Sequence, residues 1–303
     1  MTNTKLKITG FIFLVVYHIW VFIPNVPIWF RWFEVISAPI FVFCIVEAYI
    51  HTKNKSILFV RLYLLSSAMI IITMTIHHIF TFENFYVYQF QSRCIRTLFG
   101  ICVLLWIIEN FRHKQKAVIA VILFNIFMLF ISFVLTEQAA PYIVFIIGTF
   151  AANATIFGGH FGIWFLLLGV LFYFTRNKKS ILTVSYLLFT LVYFLFHRLH
   201  IVPRLLYVYD QHFGHYPTGD FLYGIFFNLA MLLFDIWPTF FDSASFGNFA
   251  WMITFSLIFI LLYNGELKIH SNKIKYTFYL IYPTHIIILY FLGNFIYSLS
   301  SHN

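Results

Sequence analysis

The sequence predicts an all-α, polytopic integral membrane protein, and three features of its composition support this prediction. Hydrophobic residues make up 62% of the 303 residues, which is about 188 apolar side chains. Charged residues account for only 10%, against about 25% in an ordinary globular domain. The apolar residues form continuous runs, such as 121–135 and 164–174, rather than the alternating pattern of a membrane β-barrel. At about 20 residues per crossing, this composition suffices for roughly nine membrane-spanning helices.

Apolar runs bounded by charges, turns and prolines divide the chain into about 9–11 transmembrane or partly re-entrant helices. The candidate segments are 8–23, 35–50, 57–80, 95–108, 117–135, 142–156, 161–174, 181–196, 221–237, 249–263 and 276–297. The first run continues into Pro24 and Pro27 without a small-residue cleavage site, so we expect a first span rather than a cleaved signal. No internal repeat is visible in the sequence, and residues 1–303 are expected to form a single transmembrane domain.

Basic residues collect in short connections, which the positive-inside rule assigns to the cytoplasmic face. The connections contain Lys5 and Lys7, Lys53 and Lys55, Arg112 to Lys116, Arg176 to Lys179, and Lys268 to Lys275. Two crossings should separate neighbouring connections, yet the third and fourth intervals each contain three candidate segments. One segment in each interval is therefore expected not to cross fully, and 142–156 and 221–237 are the candidates. The polar connection 198–220 then lies outside as a candidate lid or substrate-facing loop.

The net charge of +9 does not indicate a nucleic-acid partner, because the basic residues are scattered beside apolar runs rather than collected on one element. Cys44, Cys94 and Cys102 lie within or beside apolar stretches and lack metal-ligand spacing. They are expected to be small core residues, and neither a disulfide framework nor a bound metal is predicted.

Ionisable side chains inside the hydrocarbon are candidate functional residues, because burying them in lipid is costly unless they face protein or water. His18 lies in the first span, where a neutral imidazole can act as a general base or simply hydrogen-bond across helices. His285 follows Tyr282 and Pro283 in the last span. Proline removes a backbone donor and kinks a helix, so this pattern indicates a built site, with plain packing as the alternative.

A second set of polar residues lies near the predicted cytoplasmic boundary. Glu47 and His51 share one helix face at i, i+4, and the pair can orient an imidazole or form an ordinary interfacial ion pair. Arg61 lies about one turn into the next helix. Its guanidinium is suited to a phosphate or carboxylate, or can extend to the aqueous boundary.

Both ends of the chain resemble the TraX family, polytopic bacterial membrane proteins linked to N-terminal acetylation of conjugative pilin. The resemblance covers roughly the first 65 and last 45 residues, and the middle only in its hydrophobic rhythm. In the C-terminal part the matching residues are Leu262-Tyr263-Asn264-Gly265, Lys275-Tyr276, Tyr279, Tyr282-Pro283-x-His285 and Leu289-Tyr290. In the N-terminal part they are Lys7-Ile8, His18, Ala38-Pro39-Ile40-Phe41, Phe43, Glu47, His51-Thr52-Lys53-Asn54 and Arg61-Leu62.

The resemblance implies an acyltransferase of a bacterial cytoplasmic membrane, which moves an acetyl or short acyl group from cytoplasmic acetyl-CoA to an amine or hydroxyl. On this basis His18 is the general base or transient acyl carrier, and His285 with Tyr282 positions the thioester or stabilises its oxyanion. Arg61 and Lys53 are expected to contact the phosphates of the donor. The acceptor is expected to be a peptide, a glycan or a lipid-linked sugar presented at the membrane.

The resemblance extends to further residues at the cytoplasmic end, with one departure from the family pattern. Asn264 and His51 are expected to contribute to substrate binding, and Glu47 to catalysis. Tyr17 precedes His18 where the family has Asp, so the task of the acidic residue must pass to another group such as Glu47.

Two other functions are compatible with the sequence. A proton-coupled transporter or flippase would use the buried His, Glu and Arg side chains as a proton relay and the broken segments as a substrate site. A non-catalytic membrane partner of a secretion or conjugation machine would use the aromatic-rich faces for packing.

Overall fold

A computed structural model of the chain describes residues 1–79, 93–135, 142–156, 162–199, 201–213, 249–266 and 272–301. The secondary structure of these residues is helical, which confirms the all-α prediction. The helices are α1 (Asn3–Phe22), α2 (Trp32–His51), α3 (Lys55–Ile79), α4 (Arg93–Asn110), α5 (Gln115–Leu135), α6 (Tyr142–Asn153), α7 (Gly162–Thr175), α8 (Lys179–Arg198), α9 (Ile201–Phe213), α10 (Ser256–Leu261) and α11 (Asn272–Ser301). Short 3₁₀ helices, Ile28–Arg31 and Ala250–Phe255, precede α2 and α10.

Six helices of the described part of the chain are long and apolar enough to cross a membrane: α1, α2, α3, α5, α8 and α11. Ala250–Leu261 and α7 are shorter apolar helices. The predicted segment at 221–237 lies outside the described residues. The predicted loop at 198–220 is not a loop over most of its length, because Ile201–Phe213 forms α9, and 214–220 lie outside the described residues. Apolar side chains on α5 and α8 are exposed, including Phe130, Val184 and Leu188, as expected for faces that contact lipid.

The chain divides into two compact units, and the first, Met1–Ser92 with Met252–Asn303, is built from both ends of the chain. In this unit Thr2 caps the amino end of α1, because its hydroxyl accepts a hydrogen bond from the backbone N–H of Lys5 at 3.5 Å. Gly10 brings α1 close to α2, since a Cβ at this position would lie 3.0 Å from Cγ2 of Ile40. The chain reverses after α1 with Asn25 at a φ of 60°, so α1 and α2 run antiparallel.

The far end of α2 and the start of α1 are held by polar contacts. The ammonium of Lys55 donates to the carbonyl of Tyr49 and lies over its ring, which caps the carboxyl end of α2. The backbone N–H of Asn264 donates to the carbonyl of Met1 at 3.0 Å, and that of Asn3 donates to the carbonyl of Glu266 at 3.3 Å. The segment that precedes α11 is thereby fixed against the beginning of α1.

The second unit, Arg93–Trp251, contains an apolar helix, α6, whose described part ends at Asn153. Residues 154–156 after it are not helical. The expectation that 142–156 does not cross fully stays a prediction, because residues 136–141 lie outside the described residues. The backbone N–H of Ile156, just after α6, donates to Oδ1 of Asn125 at 2.8 Å, and Nη2 of Arg96 donates to the Thr155 hydroxyl at 2.9 Å. Side chains of α4 and α5 therefore satisfy backbone and hydroxyl groups where α6 ends.

Candidate functional site

The first unit brings the histidines of the two end helices together. Nδ1 of His18 on α1 lies 2.9 Å from Nε2 of His285 on α11, across 267 positions of sequence. His18 is only 7% exposed, although α1 presents apolar residues on most of its surface. The ring of Phe11 packs edge-on against the His285 ring, with 5.0 Å between centroids. The pair is thus a partly buried polar contact, in which His18 is buried and His285 is partly exposed.

The hydrogen bonds of His285 determine which nitrogen of His18 holds a lone pair. Nδ1 of His285 lies 3.0 Å from the carbonyl oxygen of Ile281, and a carbonyl can only accept. Nδ1 of a neutral His285 therefore carries the proton, and its Nε2 is the acceptor toward His18. Nδ1 of His18 must then be the donor in the contact between the two rings. This tautomer leaves the lone pair of His18 on Nε2, the atom that can accept a proton from another group.

The helix packing around this pair explains why the two rings meet. α11 remains helical through Pro283 and presents His285 two residues later. Further along, Gly293 lies against the backbone of Phe22 at the end of α1, so the two helices approach as closely as their main chains allow. The ring of Tyr282 lies 5.6 Å from that of His285, in an edge-on arrangement. Tyr282 and both histidines, all predicted from the sequence, therefore lie in one cluster.

A buried acidic residue that the sequence analysis did not single out lies beside this cluster. Glu34 is in the first turn of α2 and is 6% exposed, and its carboxylate accepts a hydrogen bond from the Tyr17 hydroxyl. Tyr17 is also within electrostatic range of Arg31 and Tyr282. The available signal was an acidic residue three positions after Arg31 at the start of an apolar run, in a chain with only ten acidic residues. We define Tyr17, His18, Glu34, Tyr282 and His285 as the histidine cluster.

Glu47 belongs to a different set of contacts. Its Oε2 accepts a hydrogen bond from the Tyr263 hydroxyl at 3.0 Å and lies 3.6 Å from Nε2 of His51. Burial, together with the neighbouring Glu47 carboxylate, raises the pKa of Tyr263 above its ordinary value, so this hydroxyl remains a donor across the physiological range. We refer to Glu47, His51 and Tyr263 as the glutamate cluster.

The two clusters lie at different depths in the first unit. Contact between Gly10 and Ile40 fixes the register of α1 against α2. His18 is eight residues from Gly10 in one direction along the bundle, and Glu47 is seven residues from Ile40 in the other. At 1.5 Å per residue the separation is roughly 20 Å along the axis. This placement corrects the expectation that Glu47 takes over the task of the acidic residue before His18; Glu34, through Tyr17, is the carboxylate at that depth.

The remaining predicted site residues lie toward the boundary that carries basic side chains. Lys53 is exposed after α2, Arg61 is partly exposed on α3, and His51 is 48% exposed at its side chain. Asn264 lies in a turn, where its Oδ1 accepts from the backbone N–H of Glu266 at 3.2 Å. Among the described residues, no group of three His, Cys, Asp or Glu side chains is arranged to hold a metal ion.

No protein-family model, curated protein or solved structure matches this chain. The chemistry that the site can perform therefore has to be judged from its geometry. A histidine dyad with a defined lone pair, a tyrosine bonded to a carboxylate and a second tyrosine form a group that can accept and return a proton.

Proposed function

We propose that this protein is an integral membrane acyltransferase of the TraX type, which moves an acetyl group from acetyl-CoA to an amine or hydroxyl acceptor. The observation that carries the proposal is the 2.9 Å contact between His18 and His285, within the unit that both ends of the chain form. His18 is buried and His285 is partly buried, and such a pair needs an explanation beyond packing, because apolar residues would fill the same space without desolvating imidazoles.

The tautomers of the two rings support a different role for each histidine. Nε2 of His18 takes a proton from the attacking amine or hydroxyl while the nucleophile forms a bond to the thioester carbonyl carbon. The carbon–sulfur bond then breaks, and the departing thiolate receives that proton from Nε2. His285 acts through His18. Its Nε2 accepts a hydrogen bond from Nδ1–H of His18 and so stabilises the imidazolium that forms on His18. His18 is the catalytic residue in this scheme and His285 is a positioning residue.

Charge placement supports a donor that approaches from the cytoplasmic face of a bacterial inner membrane. Lys53 is an exposed cation and Arg61 is a partly exposed one, and both follow the carboxyl end of α2. Cationic side chains at this boundary suit the phosphates of a CoA ester. The acceptor would be a peptide, glycan or lipid-linked sugar that reaches His18 from the opposite side.

The test uses the full-length protein in lipid nanodiscs with radiolabelled acetyl-CoA. Release of CoA and transfer of label are measured with water alone, with a short peptide bearing a free amino terminus, and with a monosaccharide. His18→Ala should lower the rate by about 100-fold or more. The matched control is His113→Ala, which removes an exposed histidine of the second unit and should leave the rate unchanged. Turnover of His18→Ala at the wild-type rate, or no turnover by the wild type with any acceptor, would overturn the proposal.

One observation favours a transporter as the second candidate function. The interruption after α6 places Arg96 and Asn125 against residues 155 and 156, and discontinuous helices with polar residues at the break are typical of substrate sites in transporters. Substrate uptake into proteoliposomes driven by a pH gradient, without acetyl-CoA turnover, would favour this function.

A further inference from the structure

We infer that Glu34 is a positioning residue of the histidine cluster, whose carboxylate, linked through the Tyr17 hydroxyl, stabilises the pair His18 and His285 when the pair holds a proton. The role of Glu34 in turnover rests on the proposed function. The electrostatic relationship itself does not, because it concerns only the protonation of two rings in the protein.

Burial makes the Glu34 carboxylate significant. A carboxylate taken out of water is costly unless hydrogen bonds or opposite charge compensate it. Glu34 is 6% exposed at the start of an apolar helix, and the Tyr17 hydroxyl donates to it. Where the surroundings exclude water, a charge acts over a longer distance than at a surface.

Tyr17 connects this carboxylate to the histidines. It precedes His18 on α1, and the two rings lie 5.2 Å apart between centroids. Its hydroxyl donates to Glu34, so the electron density of its oxygen increases. Proton uptake by His18 places a positive charge on a ring whose centroid is 5.2 Å from that of Tyr17. The carboxylate and the hydroxyl then both favour the charged pair.

Tyr17, which precedes His18, is within electrostatic range of charged and titratable groups from each element that packs against α1. Glu34 comes from α2 and Tyr282 from α11, and Arg31 comes from the 3₁₀ helix, with its guanidinium 5.2 Å from the centroid of Trp20. Arg31 opposes proton uptake by the pair, whereas Glu34 favours it. Removal of the Glu34 charge should therefore disfavour protonation of the pair, and removal of the Arg31 charge should favour it. A purely structural role for Glu34 does not predict these opposite effects.

The first experiment follows the ¹⁵N resonances of the histidine rings as a function of pH, in the full-length protein in nanodiscs. The His18 signal is identified by its loss in His18→Gln. Glu34→Gln keeps the size of the side chain and a hydrogen-bond acceptor but removes the charge, and it should move the midpoint of His18 protonation about one pH unit lower. Arg31→Gln should move the midpoint higher.

Tyr17→Phe tests the same relationship without altering Glu34, and it serves as the second variant if Glu34→Gln does not fold. It should move the midpoint lower by less than Glu34→Gln, because the charge remains. The matched control is Glu109→Gln, which removes the charge of a carboxylate that accepts a hydrogen bond of 2.9 Å from the Tyr173 hydroxyl in the second unit. A Glu34→Gln midpoint equal to that of the wild type, or to that of the control, would overturn the inference, as would an unchanged midpoint in Tyr17→Phe.

The second experiment measures acetyl transfer by the same variants. Glu34→Gln should lower kcat about tenfold and leave the KM for acetyl-CoA unchanged, because the imidazolium exists only in the reacting complex. Glu34→Asp keeps the charge and should retain more activity than Glu34→Gln. A wild type without turnover but with the midpoint shifts present would reject the proposed function and leave the inference standing. Turnover in the wild type with no midpoint shift in Glu34→Gln would reject the inference alone.

Discussion

Gly293 of α11 lies against the main chain of Phe22 of α1, so that a Cβ built on Gly293 would overlap the Phe22 carbonyl oxygen. A backbone atom cannot rotate away as a side chain can. The approach of α1 to α11 at this point therefore depends on the absence of a side chain at residue 293. The same two helices carry His18 and His285, so the distance between the two histidine rings depends on this approach.

Gly293→Ala is therefore expected to push α1 and α11 apart. We expect the free energy of unfolding to fall by about 2–3 kcal/mol and acetyl transfer to fall with it, because the histidine rings separate. Thermal unfolding in nanodiscs and transfer assays measure the two effects. Gly10→Ala is the control, since its Cβ would meet side-chain atoms, of Ile40 at 3.0 Å and of Phe41 at 3.6 Å, and the loss should stay below about 1 kcal/mol. Equal stability losses in the two variants would contradict this account of the packing.

His285→Ala removes the acceptor that holds the Nδ1 proton of His18. The His18 ring can then adopt either tautomer, and we expect kcat to fall by about 10- to 100-fold while the KM for acetyl-CoA stays unchanged. His285→Gln supplies an amide oxygen as a substitute acceptor and should recover part of the loss. A parallel loss in kcat for Ala and Gln, or a change confined to KM, would show that His285 does not act by orienting His18.

Much of the fold and part of the site follow from the sequence, for physical reasons that particular residues illustrate. Apolar runs of this length must be helical in lipid, because every backbone group has to be satisfied within its own segment. His18 and His285 were each singled out because an ionisable side chain is costly to expose to lipid, and the structure brings the two rings together. The parity of the basic connections predicts an incomplete crossing between Lys116 and Arg176, and α6 in this interval ends at Asn153.

The neighbours of each polar residue could not be predicted in the same way. Glu47 was expected to assist His18 because Tyr17 stands where the TraX family has Asp, but the register of α1 against α2 separates Glu47 from His18 by roughly 20 Å. This register depends on how Gly10 packs against Ile40, a tertiary contact that no periodicity in the sequence reveals. Glu34 was overlooked for a related reason, since a carboxylate three residues after Arg31 is typical of an ordinary helix start.

Tyr263→Phe tests the separation of the two clusters. Loss of the hydroxyl leaves the buried Glu47 carboxylate with one donor fewer, and we expect the free energy of unfolding to fall by about 1–2 kcal/mol with no change in kcat. A fall in kcat comparable to that of His285→Ala would show that the glutamate cluster takes part in the reaction. Tyr173→Phe provides a matched loss of a tyrosine–carboxylate hydrogen bond, to Glu109, in the other unit.

The contact between Tyr263 and Glu47 also predicts how the stability of the wild type and of Tyr263→Phe changes with pH. Burial and the Glu47 carboxylate raise the pKa of Tyr263 in the folded protein above its ordinary value of 10.0. The stabilisation from the protonated hydroxyl is complete below pH 10 and is lost as the pH rises toward the raised value, because the unfolded chain releases this proton first. The unfolding temperature of the wild type should therefore fall more between pH 9 and pH 11 than that of Tyr263→Phe. Identical slopes for the two proteins would contradict the contact with Glu47.

Asn125→Leu tests the interruption that follows α6. Asn125 uses both ends of its amide, since Nδ2 donates to the carbonyl of Val121 at 2.9 Å and Oδ1 accepts from the backbone N–H of Ile156 at 2.8 Å. Leucine fills a similar volume but leaves that N–H without its acceptor in the unit interior, so the free energy of unfolding should fall by about 1–3 kcal/mol. Ile126→Leu, at an exposed neighbouring position, should change it by less than about 0.5 kcal/mol. Equal unfolding temperatures for the two variants would mean that the end of α6 does not depend on Asn125, and the break between α6 and α7 would then need another cause.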